Sequence, residues 1–223
     1  MSSRKIRWFP EPIFLKNVEA TGKMYEFLER DFSECLEYVA LNENHFSVYS
    51  FRLADLVLRA GPEIFRVLDL IFFNKNITPS FMMNSELEDR IISLQKKKED
   101  KRDKIIDYLD TYKCYTGDFC VRVKALEKYI IPFERKSVIL PNKRKPSDSI
   151  QWWELGYNAL RHRVVFEFEK AATLKNALFS LAGLWILCNT LNSQSGINGM
   201  PGSNLFDIPI RCSGTQQSEV LSY

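Results

Sequence analysis

The chain has 223 residues, 45% of them apolar and 13% aromatic, with a formal net charge of +3. That apolar content excludes a largely disordered chain and fits one sizeable domain. The small charge excludes the strong basic bias of an obligate duplex binder, yet permits local contact with nucleic acid.

Residues 1–16 begin basic, with Arg4, Lys5 and Arg7, and lack the apolar run of a signal peptide. Pro10 and Pro12 mark them as an extended N-terminal arm. Helical spacing of Val18, Tyr25, Leu28, Phe32, Leu36 and Val39 predicts a first helix over about 16–41. A polar turn follows from Asn42, and His45 within it is expected to be a surface or capping residue. Leu53, Leu56, Val57, Ala60, Ile64, Val67, Leu68 and Ile71 predict a second helix over 47–74. Gly61-Pro62 should kink or split it, because proline lacks a donor and crowds the preceding turn. Arg52, Asp55, Arg59 and Glu63 recur along that helix in the pattern of a solvated, ion-paired face.

A third helix is expected over 85–113, with an unburiable charge run from Lys96 to Lys104 in its middle. A shorter fourth helix is expected over 118–131, followed by a small extended or hairpin excursion over 130–141. The basic loop after it carries Lys143, Arg144 and Lys145, the most plausible polyanion-facing surface. It leads into Trp152-Trp153-Glu154-Leu155-Gly156-Tyr157-Asn158-Ala159-Leu160-Arg161-His162-Arg163, the most informative stretch of the chain. At helical spacing Asn158 and His162 share a face, and Arg161 and Arg163 flank the imidazole. A titratable imidazole between guanidiniums suits the gripping or cutting of a phosphodiester; the plainer expectation is a helix-end histidine with arginines facing water.

Thr173 is the expected N-cap of a last helix reaching about Leu191, apolar on nearly every side. Such a helix belongs at a bundle centre or against another subunit, so a homodimer through it or through the His162 helix is expected. Its longest apolar run, Ala177 to Cys188, is short for a bilayer span, and no membrane association is expected. Residues 192–204 are rich in Ser, Gly and Asn, which makes 192–223 a flexible linker and tail behind a 17–191 helical domain. The expected fold class is therefore all-α.

Five cysteines without a CxxC spacing, and two histidines, make no zinc pattern, and reduced thiols in a cytoplasmic protein are the simplest expectation. No glycine-rich phosphate loop is present either, so neither metal nor cofactor is expected.

Two blocks of the chain together carry a family pattern. One is Tyr49 to Leu56 with Gly61-Pro62-Glu63-Ile64. The other is Trp152-Trp153, Tyr157-Asn158 and Arg161-His162, then Phe168 to Leu178 and Leu181-Ala182-Gly183-Leu184-Trp185. Together these residues resemble the bacterial HEPN-like family, and the resemblance implies an all-helical, often dimeric bundle of long antiparallel helices. It also implies a metal-independent endoribonuclease of toxin–antitoxin, abortive-infection or antiphage defence systems, with RNA and an antitoxin or other defence-system protein as partners. The family's arginine, separated from its histidine by four to six residues, is replaced here by Leu155, Gly156 and Tyr157. In the catalytic expectation His162 is the acid–base group, Arg161 or Arg163 the phosphate clamp and Asn158 a positioning amide. Arg52, Arg59 or Arg66 completes the site from the second helix. The other expectation is a non-catalytic HEPN-like scaffold, sensor or partner subunit.

Overall fold

A computed structural model describes residues 11–72, 89–93, 108–109, 111, 119–138, 147–162, 164–195, 202–212 and 220–221. Helix α1 (Glu11–Leu36) begins inside the stretch that the prolines mark as an arm. Pro12 stands in its first turn, where a missing N–H breaks no helical bond. Its stripe of Phe14, Val18, Tyr25, Leu28 and Phe32 is buried. A 3-10 turn (Glu43–His45) follows, where the Asn42 side chain accepts from the Asn44 amide. His45 Nδ1 contacts the Ala40 carbonyl at 2.9 Å, so this histidine is a local cap.

Helix α2 (Phe51–Phe72) is capped by Ser50, whose Oγ accepts from the Leu53 amide at 3.1 Å. It runs unbroken through Pro62, where a kink or split is expected from sequence. The proline ring lies on the exposed side, while Ala60, Gly61 and Ile64 hold the opposite face in the core.

The all-α expectation is overturned by two antiparallel sheets. Residues 118–131, expected as a helix, form strands β1 (Phe119–Val123) and β2 (Lys128–Ile130), paired with Val121 opposite Ile130. Buried Val121 and Val123 flank the half-buried Arg122, an alternation that a strand satisfies once β2 supplies the ladder. Glu127, at φ 55°, closes the turn in the left-handed region. Strands β3 (Arg135–Val138) and β4 (Ser147–Ile150) form a second hairpin, Arg135 opposite Ile150. The expected excursion is thus half of a sheet whose other strand lies across the basic loop.

Trp152–Tyr157 then form a π-helical turn, continued by helix α3 (Asn158–His162) and helix α4 (Val164–Ala171). Helix α5 (Leu174–Ser195) starts at Thr173, whose Oγ1 accepts from the Asn176 amide at 3.2 Å. It is the axis of the molecule, lying against α1, α2, the π-turn and β1. Its stretch Leu174–Ser193 is long and apolar enough, by length and composition, to cross a membrane, and 83% of that window is buried inside the protein. Its apolar circumference, the reason for expecting a second subunit there, is therefore covered within one chain.

Residues 202–212 fall within the expected tail; Ser203, Leu205 and Phe206 are buried there, while Ile208 and Ile210 are exposed. Strand β5 (Ile210–Arg211) pairs with β1, giving the order β2-β1-β5. Leu205 and Phe206 are buried, and the Leu205 carbonyl accepts from the Lys124 amide. Glu29 on α1 anchors the segment: its Oε1 accepts from the Ser203 hydroxyl and from the amides of Asn204 and Leu205 at 3.0 and 3.1 Å.

Candidate functional site

The tryptophan segment is mostly core. Trp152 and Trp153 are 1% exposed, and Trp152 Nε1 donates to the Pro132 carbonyl at 2.6 Å, which ties the π-turn to the loop between β2 and β3. Trp153 stacks at 4.4 Å on Tyr157 and meets Phe65 of α2 edge-on at 5.2 Å. Tyr157 lies over Gly61, where an added Cβ would come within 2.4 Å of the ring. At Gly156 an added Cβ would lie 3.0 Å from Cγ of Asn176, whose Nδ2 donates to the carbonyls of Lys170 and Ala171 at the end of α4. The aromatic and amide residues that carry the family resemblance therefore join α2, the π-turn, α4 and α5.

Of the expected catalytic residues, Asn158 is half-buried, and its Oδ1 is buried without a hydrogen-bond partner among the described residues. Arg161 and His162 are exposed in the last turn of α3, one helical turn beyond it. Arg163, Lys143, Arg144 and Lys145 lie outside the described residues.

Arg52 and Arg59 line an open cleft of about 420 Å³ between α1 and α2. Its lining includes Asp31, Glu34 and Asp55 but neither Arg161 nor His162. Arg52 pairs with Glu34 at 3.6 Å. Arg59 is held by Asp31 at 2.5 Å, and its Nε lies 2.8 Å from Asp55 Oδ2, off the hydrogen-bond line, so that contact is ionic. Arg66, deeper on α2, binds Glu63, Asn17 and Thr21 and serves the α1–α2 contact. The expected convergence of α2 arginines with His162 does not occur in this cleft.

A second cavity, about 510 Å³, opens where Phe46, Leu155, Glu169, Lys170 and Lys175 come together. Burial, with help from Lys136, pulls the Lys175 ammonium below the usual lysine range. Its Nζ lies 5.7 Å from the centre of the Phe46 ring. Nothing in the local sequence singles out Lys175, because its surroundings come from three distant segments. Among the described residues no group of three or more His, Cys, Asp or Glu side chains converges for a metal.

Comparison with known protein families, with curated proteins and with solved structures finds no match.

Proposed function

We propose that this chain is a non-catalytic HEPN-like interaction module, a scaffold or partner subunit, and not a self-sufficient ribonuclease. The observation that supports this is the commitment of Arg52 and Arg59 to the carboxylates of Glu34, Asp31 and Asp55. Metal-free RNA cleavage needs a base at the 2′-hydroxyl and cationic stabilisation of the phosphorane. A guanidinium already neutralised by a carboxylate offers a phosphate little attraction, and the cleft sets three carboxylates against two guanidiniums. The loss of the family's upstream arginine, with Leu155, Gly156 and Tyr157 in its place, points the same way. Tyr157 is instead core packing.

One observation favours the second reading, an RNA-directed endoribonuclease of the toxin–antitoxin or antiphage type. Arg161 and His162 stand exposed beside each other at the end of α3, where a phosphodiester has access to both.

The two readings separate on one assay: total RNA incubated in EDTA with purified wild type and with His162→Ala. The module reading expects intact RNA in both reactions. Cleavage by wild type that survives EDTA, weakens at high salt and disappears in a folded His162→Ala protein would overturn it.

A further inference from the structure

Strands β1 and β5 bring together two cysteines that lie far apart in sequence. In their antiparallel ladder Phe119 is opposite Arg211 and Cys120 is opposite Ile210. Side chains two residues apart on a strand share a face, so Cys212, just past the ladder, is the diagonal neighbour of Cys120. The two thiols are in hydrogen-bond contact. Cys120 is fully buried and Cys212 partly buried, both reduced. Cys35 on α1 and Cys188 within α5 have no comparable contact with another thiol among the described residues.

We propose that Cys120 and Cys212 are a disulfide-forming pair, closed by a small disulfide oxidant of the glutathione class, and that closure staples the 202–212 segment to β1. The partly exposed Cys212 reacts first: its thiolate attacks one sulfur of the oxidant, and the other sulfur leaves as a thiolate. Cys120 then gives up its proton and attacks Cys212 Sγ, expelling the second half of the oxidant. In sum two protein thiols are oxidised and one small disulfide is reduced to two thiols. Burial holds the Cys120 thiol above its ordinary range, which slows this second step and makes Cys212 the entry point. Cys212 follows the last ladder residue, so its backbone can adjust to the span a disulfide requires. The bond would reinforce covalently a segment that Glu29, Lys124 and Trp185 already hold by hydrogen bonds.

The test treats the folded full chain with oxidised glutathione, blocks remaining thiols and digests it with trypsin without reduction. Cleavage after Lys113, Arg122 and Arg211 releases fragments 114–122 and 212–223. The expected product is these two joined, lighter by two hydrogens, from protein that migrates as a single chain on a non-reducing gel. Cys114 shares the first fragment, so Cys114→Ser should keep the link, while Cys120→Ser and Cys212→Ser should lose it. Oxidised wild type should also melt higher than reduced, an increase abolished by dithiothreitol and absent from Cys212→Ser, whose partly exposed site tolerates the change. A linked fragment that persists in Cys120→Ser, links only between chains, or no link in oxidised folded wild type overturns the proposal.

Discussion

At Gly61 helix α2 presents bare backbone to the Tyr157 ring, and that closeness decides the effect of the smallest substitution. Gly61→Ala would gain ~1 kcal/mol of helix propensity in an exposed helix. Here the new methyl meets two ring carbons at 2.4 Å, and the ring is backed by Trp153. Overpacking against a ring that cannot retreat costs about 2–3 kcal/mol, so a net loss of roughly 1–2 kcal/mol is expected. Urea denaturation should place the Gly61→Ala midpoint below wild type. Gly202→Ala, with nothing within 4 Å, should leave it in place. A Gly61→Ala midpoint at or above wild type contradicts the close packing of α2 on the π-turn. The same scale explains why the aromatic segment invites a chemical interpretation. Trp, Tyr and Asn serve equally well as packing and as site residues, and only their neighbours separate the two uses. Tyr157 has Gly61 and Trp153 around it; Arg161 and His162 face water.

Among the elements, the segment 202–212 departs most from its composition. Ser, Gly and Asn between 192 and 204 describe a linker, but the following Leu205 and Phe206 are large enough to dock, and Trp185 Nε1 donates to the Asp207 carbonyl at 2.9 Å. A chain truncated before Ser203 should therefore be destabilised. Burial of Leu205 and Phe206 contributes about 1.5–3 kcal/mol each. Truncation also removes the Ser203 hydroxyl and the two amides that donate to the Glu29 carboxylate, leaving it the Tyr25 hydroxyl. The expected result is a thermal midpoint lower by roughly 5 °C or more. Equal midpoints for truncated and full chains would mean that the segment contributes no stability. Helix α5 is the counterpart at this scale: its apolar positions leave no polar face, and the surrounding α1, α2, π-turn and β1 account for that within one chain.

For the whole molecule, the buried tyrosines set the response to alkali. Burial, and then the nearby Glu29 carboxylate, push the Tyr25 phenol well above its ordinary 10.0. Burial, and then the charge of Asp69, raise Tyr108 in the same direction, and its hydroxyl donates to Asp69 at 3.0 Å. A raised folded-state value means that the native protein holds these protons more tightly than the unfolded chain. The stabilisation is complete below about 10 and is lost as pH rises through the folded-state values. For Tyr25 the slope is ~1.4 kcal/mol per pH unit above 10. Phenolate absorbance should show these two tyrosines ionising only together with unfolding. Free ionisation of every tyrosine in a protein that keeps its helical circular dichroism would contradict their burial.

The sequence by itself determined the long helices α1, α2 and α5 and the Thr173 cap, because apolar periodicity sustained over many turns has one solution in water. It also placed Asn158 and His162 on one short helix. Only the tertiary structure decided the hairpin over 119–130, since a short apolar run satisfies either period until a partner strand supplies the ladder. It likewise decided the docking of 202–212, which depends on the Glu29 carboxylate and on β1, both distant in sequence. The pairing of Arg52 and Arg59 with carboxylates belongs to the same class. Helical spacing places charges along one element; which acids neutralise them is a matter of the helix packed alongside, here α1 with Asp31 and Glu34.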